Sequence, residues 1–179
     1  SGYDCIIGGS GGKDSTRQSI FVRDELGLKP LLVSCQYPPE QLVERGAHNI
    51  SNLVSLGFDC ITVAPNPKIW KKLMLQGFLK YGNWCKSTEM ALYASAPKFA
   101  IAYHIPLIFL GENPAIALGD MGVGSITGDA NKMKYYHTLQ GGDPRKNNLV
   151  TKEMKDQDLI SYKYPSDEEL EWAKLKIVY

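Results

Sequence analysis

Charge of one sign is what this 179-residue chain lacks most plainly: twenty Lys and Arg stand against nineteen Asp and Glu, a formal net charge of +1. Without a global basic field, the sequence-independent attraction to nucleic acid that rests on phosphate neutralisation has no general basis, and nucleic acid is not an expected partner. No apolar run reaches the ~18 residues that a membrane span needs, and the first residues show no basic-then-apolar leader pattern, so a cytoplasmic protein with no membrane span is expected. The four cysteines, Cys5, Cys35, Cys60 and Cys85, form no C-x-x-C pair. That spacing indicates neither a zinc knuckle nor a redox dithiol. Cys5 and Cys60 fall in strand-like segments, as free buried thiols do. There is no internal repeat.

What is present is ordinary in bulk and unusual in one place. A chain that is 44% hydrophobic and 22% charged has the make-up of a globular domain, and its length suits one core better than two. The unusual place is Gly8-Gly9-Ser10-Gly11-Gly12-Lys13-Asp14-Ser15, directly after the apolar Tyr3-Asp4-Cys5-Ile6-Ile7 and directly before a helix-like segment. Strand, glycine-rich turn and helix in that order make a phosphate cradle. Glycines let backbone N–H groups converge, and the helix start adds its positive end. A Walker loop is excluded by spacing, because Ile7 stands where its first glycine is needed. Asp14 also stands where a Ser or Thr would follow the lysine.

Continuous apolar runs near 3–8, 30–35, 59–63 and 106–110 read as strands covered on both faces. Between them lie helical patterns near 15–27, 40–57, 67–81 and 88–104, with Gly27 and Gly57 as stops and Pro67 at a start. The first helix would bury Ile20, Phe21, Val22 and Leu26; the second Leu42, Val43, Ile50, Leu53, Val54 and Leu56. Pro97 predicts a kink or a break into two helices. The fold class expected is α/β, a doubly wound, mainly parallel sheet with helices on both faces and ligands at the carboxyl ends of the strands. Residues 111–150, rich in Gly, Asp and Asn, read as a long loop or lid. The chain would be a single domain over 1–179. The abrupt ends, Ser1-Gly2 and Ile177-Val178-Tyr179, suggest the excised core of a longer protein, with a further strand at the end.

Ser10-Gly11-Gly12-Lys13-Asp14-Ser15 resembles the PP-loop of the ATP pyrophosphatases, which cleave ATP between the α- and β-phosphates. Further stretches narrow the resemblance: Asn52-Leu53-Val54-Ser55-Leu56-Gly57-Phe58-Asp59, Pro65 to Met74, Gly111-Glu112-Asn113-Pro114, and Tyr164-Pro165-Ser166-Asp167-Glu168-Glu169-Leu170. Together they are similar to the N-acetyl sugar amidotransferase family of surface-polysaccharide (lipopolysaccharide) biosynthesis. The resemblance implies an adenine nucleotide alpha hydrolase-like fold, with ATP and Mg²⁺ as cofactors. It also implies a nucleotide-linked N-acetyl sugar as substrate, AMP and pyrophosphate as products, and a partner glutaminase that supplies ammonia. One departure is Gly82-Asn83-Trp84-Cys85-Lys86-Ser87-Thr88, which has one cysteine where members commonly carry two.

Carried onto this chain, the resemblance makes the backbone from Gly9 to Gly12 the cradle, with Ser10 and Ser15 as hydroxyl donors to phosphate and Lys13 as the point charge. Asp14 is either a helix N-cap or the residue that orients Mg²⁺. Ser34, Cys35 and Gln36 are candidates for adenine and ribose, or ordinary residues after a strand. Gly111 borders the nucleotide. Glu112 is a metal ligand, a proton acceptor or a buried structural carboxylate; Asn113 suits an amide or a sugar hydroxyl. Of the scattered histidines, His48 and His104 have no visible partner, and His137 is a substrate-binding candidate. Trp70, Trp84 and Trp172 read as core or groove walls, and Cys85 as a packed thiol or a sulfur-transfer nucleophile. Competing readings are a tRNA thiolase, a lysidine-type or amide-forming ligase, and a nucleotide-binding module without catalysis.

Overall fold

The computed structural model describes residues 2–112, 129–136 and 139–179. Five strands form one sheet: β1 (Cys5–Gly8), β2 (Pro30–Cys35), β3 (Asp59–Val63), β4 (Leu107–Leu110) and β5 (Lys176–Val178). Their order is β3-β2-β1-β4-β5, and every pairing is parallel. The helices are α1 (Lys13–Asp24), α2 (Glu44–Ser55), α3 (Pro67–Tyr81), α4 (Lys86–Tyr103), α5 (Ala130–Lys134) and α6 (Asp167–Ala173). Among the described residues no helix is long and apolar enough to cross a membrane.

Strand periodicity decides which helices cover which face. Leu31, Ile6, Ile108 and Ile177 stand in one register row across four strands and pack with Trp70 and Leu73 of α3 and Met90 and Ala94 of α4. One residue further along, Cys60, Leu32, Ile7 and Phe109 form the next row, which meets Val22 of α1 and Leu53 of α2. Helices therefore lie on both faces of an α/β sheet, as the sequence led us to expect. Each large apolar side chain buried this way stabilises the fold by about 1.5–3 kcal/mol. From the central β1, the chain moves outward to β2 and β3 on one side, while β4 and β5 lie on the other. The connections after β1 and β4 thus diverge and leave a crevice at the carboxyl end of the sheet.

Several expectations need correction. β3 is an edge strand whose two faces are only partly covered, Ile61 and Val63 packing on one core and Cys60 on the other. In α1, Val22 is buried but Phe21 is exposed, as is Leu26 beyond its end; in α2, Leu53 is buried while Val54 is exposed, as are the flanking Val43 and Leu56. α2 starts later than its pattern suggested, because Leu42 and Val43 are extended after the 3-10 turn Pro39–Gln41. Gly57 does close α2: at φ +87 it lets Phe58 N–H reach Leu53 O, and both side chains join the same core. Gly27 sits three residues past the end of α1, in the turn to β2.

Pro97 does not split α4, which runs unbroken from Lys86 to Tyr103. Burial between the sheet and the C-terminal segments holds it through the missing N–H: Ala91, Ala94, Ala96, Pro97 and Ala100 are all buried. Of the expected 111–150 loop, residues 113–128 and 137–138 lie outside the described residues. Much of the remainder belongs to the core, with Met133, Tyr136, Leu139 and Leu149 all buried. The turn-rich stretch there is organised by buried Asn147, whose amide donates to the carbonyls of Leu139, Gln140 and Asp143 at 3.2, 3.4 and 3.0 Å. The terminal Ile177-Val178 forms part of β5, as expected.

Candidate functional site

The crevice between the ends of β1 and β4 holds a pocket of about 360 Å³. One wall is the glycine-rich turn with the first turn of α1. Gly11 takes φ +76, and its Cα faces α2 so closely that a Cβ would lie 2.7 Å from Asn49 O. Gly9 is equally constrained, since a Cβ there would lie 2.5 Å from Ser15 Cβ. These two contacts explain why the turn is written in glycine. Gly11 therefore packs against α2 and does not line the pocket.

Hydrogen bonding within the turn decides which donors face the pocket. Gly9 N–H donates to Val33 O at 3.2 Å, and Gly11 N–H donates to Ser15 Oγ at 3.1 Å. Both are engaged. The Ser15 hydroxyl in turn donates to Gly12 O at 3.3 Å, so it serves the turn itself. α1 makes its first internal bond from Thr16 N–H to Gly12 O. That leaves the N–H groups of Lys13, Asp14 and Ser15 at the helix start without an acceptor inside the helix. Of the Gly9–Gly12 backbone, the N–H groups of Gly9 and Gly11 are thus taken by the fold, while the first turn of the helix adds further donors where the dipole also favours an anion. Asp14 is not the N-cap: Gly12 occupies that position without a side-chain cap bond, and Asp14 stands in the first turn, exposed to the pocket.

Of the residues singled out from the sequence, Gly9, Ser10, Gly12, Lys13, Asp14, Ser15, Cys35, Gly111 and Glu112 line this one pocket. Glu112 is exposed, which removes the buried structural carboxylate as an option. Ser34 is buried at the end of β2, and Gln36 is tied to β3 through its N–H to Val63 O at 2.8 Å; neither lines the pocket. Asn113 and His137 lie outside the described residues. Sequence reasoning missed Val33 and Leu110 on the strands, and Tyr37, Leu92, Tyr93 and Ala96 beyond them. Tyr37 immediately follows the Ser34-Cys35-Gln36 stretch and could have been included with it; its ring meets Trp70 edge-on at 5.4 Å. Leu92, Tyr93 and Ala96 come from α4, far away in the chain and without a motif.

The pocket is split in character. Its turn side offers backbone donors, Lys13, Asp14 and Glu112, and its α4 side offers Leu92, Tyr93 and Ala96. Burial, reinforced by Tyr136 and the neighbouring carboxylates, keeps the Tyr93 hydroxyl protonated well above its usual range. Burial also pushes the Cys35 thiol up to about 11. Cys85, at the start of α4, is raised by burial and then by Glu89, and Cys5 and Cys60 are raised by burial as well. A sulfur-transfer nucleophile needs the thiolate, and each of these environments disfavours it.

Two further expectations change. His48 has a partner, Glu44 one turn earlier on α2 at 3.5 Å, and His104 packs edge-on against Trp172 at 5.4 Å. Trp70 is buried core, whereas Trp84 and Trp172 are largely exposed. Among the described residues no three His, Cys, Asp or Glu side chains gather as a metal cluster. Asp14 and Glu112 on one pocket still fit a magnesium ion, which takes one or two carboxylates and completes its shell with water and substrate phosphates.

No family model matches the sequence. No curated protein matches it either. Among solved structures, the chain is similar to a "predicted subunit of tRNA methyltransferase" from Methanocaldococcus jannaschii, with 12% identity and a TM-score of 0.49 over 98% of this chain. The match spans 66% of that protein's length.

Proposed function

We propose that the protein is an AMP-forming adenylating enzyme of the ATP-pyrophosphatase type. Its substrate would be the acetamido group of a nucleotide-linked N-acetyl sugar, whose oxygen is replaced by ammonia-derived nitrogen. The observation that carries this reading is the constrained glycine turn at the end of the central strand, which opens with Lys13 onto a pocket walled by Leu92 and Tyr93. The motifs similar to sugar amidotransferases supply the substrate class, the partner glutaminase and the place in glycan biosynthesis, in the cytoplasm.

An amide carbon resists ammonia because its oxygen leaves poorly, and transfer of an adenylyl group to that oxygen converts it into a good leaving group. The chain's task is to hold the negative charge that gathers on departing pyrophosphate. Ser10 and the free N–H groups of Lys13, Asp14 and Ser15 would bind it with dipoles already in place, each such donor being worth about 2.7–4 kcal/mol of barrier. Lys13 would add the compact positive charge. Leu92 and Tyr93 would flank the adenine, where an apolar wall excludes water. Glu112 would take the proton that attacking ammonia must lose. Asp14 would hold Mg²⁺, which when bound neutralises phosphate charge.

The test is incubation of the protein with ATP, a nucleotide-linked diacetamido sugar and ammonium. Expected are AMP, pyrophosphate and a sugar product lighter by the difference between O and NH. Release of ADP, or AMP formation that depends on tRNA and ignores the sugar, would overturn the proposal.

A further inference from the structure

A second and larger cavity, about 600 Å³, lies away from the β1–β4 crevice and shares no lining residue with it. Four lysines from four separate stretches of chain converge on it: Lys98 of α4, Lys134 at the end of α5, Lys146, and Lys163 after the 3-10 helix Asp156–Tyr162. Their charges are unequally compensated. Lys134 is nearly buried and is paired with Asp167 at 2.5 Å. Lys163 reaches Asp156 only at 3.7 Å, and that carboxylate is already gripped by Arg145 at 2.9 and 2.7 Å. Lys98 donates to a neutral group, the main-chain carbonyl of Ile160. Lys146 is exposed and feels Asp167 only through space. Among the described residues neither Lys98 nor Lys146 forms a direct ion pair.

Of the carboxylates that line the cavity, Asp167 is taken by Lys134, and two others accept neutral backbone N–H groups without forming a direct pair with Lys98 or Lys146. Asp143 accepts the Arg145 N–H at 2.8 Å, and Glu169 accepts the Ser166 N–H at 2.7 Å. Partial burial, offset in part by Glu169 and reinforced by Lys163, depresses the Lys98 ammonium to about 8. A half-buried cation without a direct ion-pair partner is an unfavourable arrangement that a bound anion relieves.

We infer that this cavity is a binding site for a compact phosphate-bearing anion, held by Lys98 and Lys146 with Lys163 at its edge. The inference is independent of the adenylyl-transfer reading. Its volume suits a nucleotide-sized ligand, and Tyr135 and Ile160 supply exposed apolar surface beside the charges. A long polyanion such as RNA fits less well, because Asp167, Glu168 and Glu169 form the adjoining wall and would repel a strand running past it.

The test is a titration of 15N-labelled protein, once with inorganic pyrophosphate and once with uridine diphosphate. Amide signals of Lys98, Gly142, Lys146 and Lys163 are expected to shift together and saturate. Lys13→Ala should leave that response intact while removing the response of the glycine turn. Lys146→Gln, at an exposed position, should weaken it by about tenfold or more, and Lys98→Met should do the same. Tighter binding of uridine diphosphate would mark a nucleotide ester as the ligand; equal binding would mark the phosphate alone, and both support the site. Unmoved cavity signals overturn it, as would lysine variants that bind like the parent. Transfer RNA acting at lower concentration than either probe would overturn the assignment to a compact ligand.

Discussion

The β1–β4 crevice and the lysine cavity, each proposed to hold an anion, would do so in opposite ways. In the crevice the donors would be backbone N–H groups at a helix start, on a turn whose Gly9 and Gly11 contacts leave no room for a side chain. In the cavity they are side-chain ammonium groups brought together from Lys98 to Lys163, with the backbone serving only as a scaffold. A backbone site is set by one short local sequence and loses its shape when a single atom is added. A side-chain site is set by tertiary packing and loses strength one charge at a time.

The sharpest way to break this contrast is Gly9→Val. Its added carbons would collide with Ser15, so AMP formation should fall by about two orders of magnitude or more, with a stability loss of about 1–3 kcal/mol from the same collision that is too small to unfold the chain at the assay temperature. A variant that keeps its activity would show that the turn does not set the geometry. A smaller effect is expected from Asn147→Ala, which removes an amide bonded to three carbonyls beside the cavity. Urea unfolding should show a loss of about 1–3 kcal/mol, with the crevice amides unshifted.

The smallest effect concerns pH. Lys98 titrates near 8 when folded and near 10.4 when unfolded. Above about pH 8 the unfolded chain binds a proton that the native chain has released, so this residue makes stability rise with pH until both forms are deprotonated. Cys5 and Cys35 act in the opposite sense as pH passes the ordinary thiol range, their folded pKa values being raised to about 11. The measurement is therefore the parent minus Lys98→Met, by urea unfolding from pH 7.5 to 9; a flat difference would contradict the depressed value.

The same contrast governs what could be read from the sequence. The turn from Gly8 to Ser15 was legible because strand, glycines and helix start are contiguous and each acts on its neighbours. The strands were legible for the same reason, and α3 matched its expected range because Asn66 caps it at 2.9 Å, Pro67 opens it and Gly82 closes it at φ +63. Leu92 and Tyr93 were not, since their place on the pocket depends on where α4 crosses the sheet. Nor were the four lysines, whose spacing along the chain carries no periodicity. The exposed faces of α1 and α2 misled in another way: Phe21 and Val54 have the right polarity for a core but stand on the outer side of their helices.

α4 forms part of both sites, giving Leu92, Tyr93 and Ala96 to one and Lys98 and Ile101 to the other. Tyr93 and Lys98 are separated by about 7.5 Å of helix rise. An axial slip or roll of this rod would reshape two walls at once, so a ligand in one hollow would alter the other through the helix they share.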